Sequence, residues 1–350
     1  MADDIALIAG ATGAAASRLV ELLAETPGWR AVGLCRRPPD APHANVRYLA
    51  ADLADAASCR RAVDEAGAVT HLVYVARAAF AEGGVEDVPA NVAMLRNLLD
   101  ACDRPGLRHV HLLEGTKWYG LHLGPFATPA REDDPRHMPP NFYYDQQDLL
   151  TERRTGKGWS WSASRPNLIV DFAPGRARNL VSALGAWAAI CRELGLPLDF
   201  PGRAGAYTAL AELTDARLLA RAIRWMLTDP RAADRAFNVT NGDPFRWSRL
   251  WPRLAAYFGL PCGQVRPLRL AAWMADKEPV WRRVSARHGL VPRRLSEVAP
   301  WDFADFALGF DYDVVSSTTR VREAGFHDVL DTEAMLLGHL DAYREARFLP

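Results

Sequence analysis

Two adjacent tyrosines, Tyr143 and Tyr144, open a predicted helix in the segment NFYYDQQDLL. A phenol held at a carbonyl oxygen can stabilise negative charge that develops there, by hydrogen bonding or by donating its proton. Many enzymes that use such a tyrosine carry a lysine one turn later on the same helix, but here that turn contains Gln147 and Asp148. Either the tyrosines are packing residues, or the lysine comes from another segment.

A lysine in a suitable place is Lys117, in the segment EGTKWYG. It follows the fifth predicted strand, at the sheet edge where open α/β folds bind their ligands, and the tyrosine helix begins at that edge. An ammonium near a phenol favours the charged phenolate, because it lowers the phenol pKa from its usual value of about 10. We therefore predict that Lys117 meets one of the tyrosines. Two core tyrosines and a surface lysine are the alternative reading.

The scarcity of lysine strengthens this prediction. Only three of the 42 basic residues are lysines, so a lysine that is retained indicates a need for a compact, titratable ammonium. Of the other two, Lys157 is expected in a solvated loop and Lys277 in an ion pair with Glu278.

The turn GATGAAA follows the first predicted strand and contains Gly10, Thr12, Gly13 and Ala14, with Ala16 as a third small residue. Glycine allows a tight bend and the close approach of a pyrophosphate, whose charge then lies at the N-terminus of the next helix. The order of strand, small-residue turn and helix predicts a dinucleotide-binding site.

Cofactor choice is predicted from the residues at the end of the second predicted strand, Cys35, Arg36 and Arg37. Enzymes that bind NAD usually have an acidic residue there, which accepts hydrogen bonds from the ribose 2′-hydroxyl. Two guanidinium groups instead suit a 2′-phosphate, so the sequence favours NADPH and NADP+. A solvated turn, with equal affinity for NADH, is the alternative. The residues expected near the adenine, the pyrophosphate and the ribose from topology alone are Asp52, Leu53, Val75 and Ala76.

The composition of the 350-residue chain favours a small-molecule ligand. It is 49% hydrophobic with a formal net charge of zero, which argues against nucleic acid or an anionic membrane as partner. The N-terminus lacks the basic region of a secretory signal, and the longest apolar run, about 12 residues, is too short to span a bilayer, so a cytoplasmic location is expected. Five single cysteines argue against disulfides or zinc. His109 and His111 have the spacing of two metal ligands, but no third ligand is evident and no metal is expected.

Apolar strands alternate with helices through the first half of the chain, which predicts an α/β fold with a doubly wound parallel sheet of the Rossmann type. We expect a dinucleotide-binding domain over residues 1–175, completed by about 207–243. Residues 176–206 and 244–350 are mainly helical and rich in tryptophan, and they are expected to form a smaller substrate-binding cap.

Longer sequence blocks add a family resemblance over nearly the whole chain. These blocks are GATG, the arginine pair, GTKWYG followed by GPF, NFYY, SRPNLIV, AAIC, FNVTNGDPFRW, KEPVW and HGLVP. Together they resemble the progesterone 5β-reductase and iridoid synthase group, atypical members of the short-chain dehydrogenase/reductase superfamily with an extended fold. The resemblance implies NADPH-dependent reduction of activated C=C bonds, by 1,4-addition of hydride to an apolar enone or enal, steroid-like or terpenoid-like.

The resemblance also implies roles for individual residues. It matches Tyr143 and Lys117 to the family's catalytic tyrosine and lysine, Phe126 to an aromatic residue of the substrate pocket, and Ile169 to a residue that presses on the nicotinamide. A homodimer is compatible with it. Two departures stand out: the segment between Lys117 and Tyr143 differs in length, with an inserted-looking YGLH, and Glu114 replaces a small hydroxyl residue, where its carboxylate could change the electrostatics of the lysine.

Two other functions remain open from the sequence. A carbonyl reductase or nucleotide-sugar epimerase normally needs its lysine four residues after the tyrosine, and Gln147 occupies that position. An NADP-sensing regulator on the same fold would need neither the tyrosine nor the lysine at the nicotinamide.

Overall fold

The computed structural model describes residues 4–39, 46–176 and 178–350. The chain divides into two compact units. The first consists of Met1–Asn167, Ala216–Val239 and Ser317–His327, and the second of Leu168–Asp215, Thr240–Ser316 and Asp328–Pro350.

These units differ from the predicted domains at three places. The segment that completes the first unit is Ala216–Val239, whereas about 207–243 was predicted. The first segment of the first unit ends at Asn167 instead of residue 175. The unit also includes Ser317–His327, which the sequence assigned to the cap. The reason is local packing, because a short helix at Thr319–Glu323 contacts the strand Arg235–Asn238, and Arg320 lies 3.6 Å from the carboxylate of Glu132.

The strands of the described residues are short in the second unit and longer in the first. They are β1 (Asp4–Ala9), β2 (Trp29–Cys35), β3 (Arg47–Ala50), β4 (His71–Tyr74), β5 (His109–Leu113), β6 (Ser160–Arg165), β7 (Ile169–Val170), β8 (Leu198–Phe200), β9 (Leu210–Ala211), β10 (Thr214–Asp215), β11 (Arg235–Asn238), β12 (Phe245–Arg246) and β13 (Cys262–Val265).

The helices are α1 (Ala14–Ala24), α2 (Ala56–Ala66), α3 (Val88–Cys102), α4 (Phe142–Arg154), α5 (Leu180–Glu193), α6 (Ala204–Thr208), α7 (Ala216–Thr228), α8 (Trp247–Tyr257), α9 (Leu270–Trp273), α10 (Glu278–His288), α11 (Leu295–Val298), α12 (Trp301–Ala307), α13 (Thr319–Glu323) and α14 (Thr332–Glu345). Single 3₁₀ turns span Glu82–Gly84, Thr116–Tyr119 and Pro230–Ala232.

The first unit contains one parallel sheet in the order β11-β6-β5-β4-β1-β2-β3. The order reverses direction at β1, which confirms the doubly wound Rossmann topology. Strand β1, DIALIA, is almost wholly buried, as a central parallel strand covered on both faces requires. Helix α1 packs against α7, while α2, α3 and α4 pack in succession. All strands therefore end at one edge, where the loops after β1, β4 and β5 lie.

The second unit is mainly helical around α5, whose residues from Leu180 to Cys191 are all buried. Trp187, Trp251 and Trp281 are buried in the same core, which explains the tryptophan-rich sequence by packing. The region after residue 242 was predicted to be mainly helical, and beside its helices it contains two short strands, β12 and β13. Among the residues described, no helix has the length and apolar character needed to cross a membrane.

Candidate active site

The turn after β1 has the geometry that a nucleotide phosphate requires. Gly10 has a φ of +79°, and a Cβ placed there would lie 3.0 Å from the backbone of Ala76. Gly13 precedes α1 without a side-chain cap, and the first turn of α1, which begins at Ala14, has no acidic residue. The N–H groups of the first turn of α1, at the positive end of the helix, can therefore bind an anion. The half-buried Thr12 completes this turn.

The remaining predicted cofactor residues lie after β2, β3 and β4. Arg36 and Arg37 follow β2 directly and are exposed. After β3, the carboxylate of Asp52 accepts a hydrogen bond of 3.0 Å from the N–H of Ala54, and the side chain of Leu53 is buried. The backbone N–H of Val75 donates to the carbonyl of Ala9 in β1 at 3.1 Å, so the turns after β1 and β4 are adjacent.

The two adjacent tyrosines have different surroundings. Tyr144 is buried, its hydroxyl donates to the carbonyl oxygen of Trp118 at 2.5 Å, and it accepts from the N–H of His137 at 2.8 Å. Tyr143 is half-buried, and its hydroxyl oxygen lies 3.4 Å from the position that a Cβ on Gly115 would take. Gly115 follows β5 by two residues, so the hydroxyl of Tyr143 lies at the ligand-binding edge while that of Tyr144 is part of the packing.

One side chain links the lysine turn to the tyrosine helix. Asn141 is the N-cap of α4, and its side-chain oxygen accepts the N–H of Tyr143 at 3.2 Å. Its amide nitrogen donates to the carbonyl oxygen of Lys117 at 2.9 Å. Lys117 and Tyr143 are thus held at the same edge by a shared partner. The bridge by Asn141 was not predicted from the sequence.

The ammonium of Lys117 forms an ion pair with the carboxylate of Glu86. Glu86 also accepts from the guanidinium of Arg77 at 3.3 Å. Sequence reasoning missed both residues, because they lie in the irregular segment between β4 and α3. The other two lysines also form ion pairs with aspartates. Lys157 pairs with Asp103 at 2.7 Å, and Lys277 pairs with Asp276, so the predicted partner Glu278 was wrong.

Glu114 was expected to influence the lysine, but its own ion-pair partner is Arg165, whose Nε donates to Glu114 Oε2 at 2.7 Å. Both side chains are at most 2% exposed. Burial raises the pKa of Glu114, and the guanidinium of Arg165 opposes that rise. The carboxylate in contact with Lys117 is Glu86.

Apolar side chains surround this edge of the first unit. Phe126 is half-buried and stacks on Tyr119, with 6.4 Å between ring centroids. Four exposed large apolar residues lie on loops next to Glu86, Lys117 and α4, namely Phe80, Val85, Leu123 and Met138. Ile169 belongs to the second unit, where β7 pairs with β10.

The inserted-looking segment forms a turn after the 3₁₀ helix, with Gly120 at a φ of +86°. It ends at His122, which is half-buried, and its Nδ1 has no hydrogen-bond partner among the residues described. Burial and the charge of Lys117 lower the pKa of His122. The segment therefore adds a neutral imidazole close to the lysine.

His109 and His111 are part of a buried chain of hydrogen bonds with three serines of β6. His109 bonds to Ser160 at 2.8 Å and to Ser162 at 2.7 Å, and His111 bonds to Ser162 at 2.8 Å and to Ser164 at 3.0 Å. Burial lowers the pKa of both imidazoles. Within the described ranges no cluster of three or more His, Cys, Asp or Glu residues could hold a metal ion.

Comparisons with known proteins show the family of this chain. The family model of a PRISE-like Rossmann-fold domain matches residues 50–350. A 3-oxo-Delta(4,5)-steroid 5-beta-reductase of Arabidopsis thaliana is 36% identical over 368 aligned residues, covering 99% of this chain and 94% of that protein. An (S)-8-oxocitronellyl enol synthase of Antirrhinum majus is 35% identical, covering 99% of this chain and 93% of that protein.

Solved structures share the fold at lower identity. A short-chain dehydrogenase/reductase superfamily protein from Agrobacterium tumefaciens, solved with bound NAD, has a TM-score of 0.68 at 18% identity, with 98% of each chain covered. The UDP-glucose 4-epimerase of Thermus thermophilus, also solved with NAD, has a TM-score of 0.68 at 18% identity, with 98% of this chain and 99% of that chain covered. The family match and the full-length relatives confirm the resemblance carried by the sequence motifs, and the chain belongs to the PRISE-like Rossmann-fold family.

Proposed function

We propose that this protein is an NADPH-dependent reductase of activated C=C bonds in enones and enals. The observation that carries the proposal is the bridge by Asn141, which holds Tyr143 and Lys117 at the edge of the sheet beside the glycine turn. The relatives named as a steroid 5-beta-reductase and an 8-oxocitronellyl enol synthase support this chemistry, because both names describe conversions of conjugated carbonyl compounds.

Tyr143 acts on the carbonyl oxygen of the substrate. Its hydroxyl donates a hydrogen bond to that oxygen and stabilises the negative charge that develops when the β-carbon is reduced. Lys117 supports the charged form of the phenol electrostatically, and Glu86 holds the ammonium in place. When bound, NADPH supplies the hydride. The proton for the α-carbon comes from Tyr143 or from solvent.

The cofactor is held by the turns at the sheet edge. The small residues after β1 and the positive end of α1 receive the pyrophosphate. Arg36 and Arg37 bind the 2′-phosphate, which gives NADPH its advantage over NADH. Within the first unit, the proposed cofactor-binding residues are Gly10, Thr12, Gly13, Ala14, Arg36, Arg37, Asp52, Leu53, Val75, Ala76, Lys117 and Tyr143. The contact of Ile169 with the nicotinamide remains a prediction of the family resemblance.

The substrate is an apolar molecule of medium size, such as a steroid or terpenoid enone. Phe126 and the exposed apolar residues Phe80, Val85, Leu123 and Met138 favour such a ligand, since exposed apolar groups concentrated around a site often mark the surface that binds apolar molecules.

Reduction of the carbonyl group is the second candidate reaction. The epimerase with the same fold favours it, but Gln147 stands where that class normally needs a lysine. An NADP-sensing regulator would bind NADPH and turn over no enone.

The test is NADPH oxidation, followed by absorbance, against a panel of cyclic and acyclic enones and enals. The products are separated chromatographically against standards of the saturated carbonyl compound and the allylic alcohol, which have equal masses. A saturated carbonyl product is expected. Allylic alcohol as the only product would support the carbonyl reductase, and tight NADPH binding without turnover would support the regulator.

A further inference from the structure

Arg165 is a buried arginine that stands outside the proposed chemistry. It is the last residue of β6, and its side chain is 2% exposed. Besides Glu114, it donates to the hydroxyl of Tyr119, to the carbonyl oxygen of Glu132 and to the side-chain oxygen of Gln147, each at 3.2 Å. A charge buried this deeply remains in a fold only when it is paired and hydrogen-bonded, and the Glu114 carboxylate together with three further acceptors meets that condition.

The partners of Arg165 lie on the two segments that carry the proposed catalytic residues. Glu114 and Tyr119 flank Lys117 on the turn after β5, and the ring centroid of Trp118 lies 3.6 Å from the guanidinium carbon. Gln147 lies on α4, one turn after Tyr143. One guanidinium therefore contacts the lysine turn on both sides of Lys117 and the tyrosine helix.

Gln147 and Asp148, one turn after Tyr143, both accept hydrogen bonds from arginines. Gln147 accepts from Arg165, and Asp148 accepts from Arg136 at 2.7 Å. Gln147, at the position where related folds have a catalytic lysine, therefore accepts a hydrogen bond from Arg165. Lys117 lies on the turn whose residues Glu114 and Tyr119 bond to the same guanidinium.

We propose that Arg165 is a positioning residue, which fixes Lys117 and Tyr143 relative to each other through Glu114, Tyr119 and Gln147. The proposal rests on the proposed function, because it assigns Arg165 a role in that reaction. A planar guanidinium can bond to several partners at fixed angles, whereas a lysine ammonium in its place keeps the charge and loses this geometry.

The test compares two Arg→Lys variants. Arg165→Lys retains the positive charge beside Glu114 and loses the planar guanidinium that bonds to both the lysine turn and α4. Arg153→Lys is the matched control, because Arg153 lies on the same helix α4 and pairs with Asp100 at 2.7 Å, but both side chains are more than one-third exposed. Hydrogen exchange, measured with NADPH present, reports the order of each segment without requiring turnover.

Backbone amide hydrogens of Thr116–Tyr119 and of the start of α4 should exchange faster in Arg165→Lys than in wild type. In Arg153→Lys they should exchange at the wild-type rate. With an enone substrate, kcat of Arg165→Lys should fall about 10²-fold, the size of effect expected from misplacing a reacting group by about 1 Å. When Arg165→Lys is introduced into Tyr143→Phe, kcat should fall much less, because the hydroxyl that Arg165 is proposed to position is already missing. A purely structural role predicts equal losses in both backgrounds.

Three outcomes decide the proposal. Exchange and kcat that match the Arg153→Lys control overturn it, as do equal losses in the two backgrounds. If wild type turns over no enone, the proposed function fails, while the exchange comparison still decides whether Arg165 orders both segments. If Arg165→Lys does not fold, Gln147→Met removes the acceptor on α4 alone. A lower kcat at unchanged stability then supports the proposal, and an unchanged kcat overturns it.

Discussion

Tyr143 and Tyr144 provide a paired experiment, since the same change, Tyr to Phe, removes one hydroxyl from each of two neighbours. The hydroxyl of Tyr143 lies beside Gly115 at the ligand-binding edge. Losing one donor to a developing oxyanion costs about 2.7–4 kcal/mol in the transition state, which is about 10²–10³ in kcat. Tyr143→Phe should therefore lose that much activity, and its affinity for NADPH should change far less than its kcat.

Tyr144→Phe should show the opposite pattern. Its hydroxyl is bonded on both sides, to the carbonyl of Trp118 and the N–H of His137, and the side chain of Tyr144 is buried. A buried polar group left without a partner costs roughly 1–3 kcal/mol of unfolding free energy. Urea unfolding should show this loss in Tyr144→Phe and a smaller one in Tyr143→Phe, because Tyr143 is only half-buried.

The assays are NADPH oxidation with the best enone of the panel, fluorescence titration with NADPH, and urea unfolding, each on wild type and both variants. Wild-type kcat in Tyr143→Phe, or a larger loss of kcat in Tyr144→Phe than in Tyr143→Phe, would refute the assignment of the two hydroxyls.

Four further predictions test the cofactor turn, the helix cap and the buried histidines. Replacing both Arg36 and Arg37 by serine should raise KM for NADPH about tenfold or more and leave KM for NADH unchanged, because each charge-assisted hydrogen bond contributes about 1.5–3 kcal/mol; an unchanged ratio of the two KM values would contradict the 2′-phosphate assignment. Asn141→Ser keeps a neutral helix-cap acceptor and removes the amide donor to the lysine turn, so kcat should fall without the cost of about 1 kcal/mol in stability that Asn141→Ala adds; equal stability of the two variants would contradict this division. Ser162 has a single hydroxyl proton and bonds to two buried imidazoles, so it donates to one and accepts from the other, and ¹⁵N NMR should find both rings with the proton on the same type of nitrogen; opposite tautomers would contradict the hydrogen-bond chain. Burial lowers the pKa of His109 to about 3, so between about pH 6.5 and pH 3 the unfolded chain binds a proton that the folded chain does not. The free energy of unfolding should therefore fall by up to about 1.4 kcal/mol for each pH unit of acidification in this range. In His109→Asn this dependence of stability on pH should be smaller.

The sheet was predictable because its physical requirements are visible locally. A strand buried on both faces must be apolar throughout, as β1 is, and an amphipathic helix must follow it, so the alternation determines the topology. The edge that carries Lys117 and the tyrosine helix follows from that topology. The end of the first unit was harder to place, because the return of Ser317–His327 depends on contacts with β11 that no local pattern shows.

The partners of the lysine were less predictable. Glu86 lies 31 residues before Lys117 in a segment without a regular pattern, so its ion pair depends on how that loop folds. The pair of Glu114 and Arg165 did leave a signal. Leu113 is aligned with Ser164 in neighbouring parallel strands, so the next residues of the two strands, one acidic and one basic, emerge side by side. Reading the ends of adjacent strands together would have found it.

The most direct test of the account is the position of deuterium in the product after reaction of wild-type protein with an enone and NADPH deuterated at the transferred position of C4. The account predicts deuterium on the β-carbon of a saturated carbonyl compound, observed by NMR. Deuterium on the former carbonyl carbon, in an allylic alcohol, would contradict it and make the protein a carbonyl reductase.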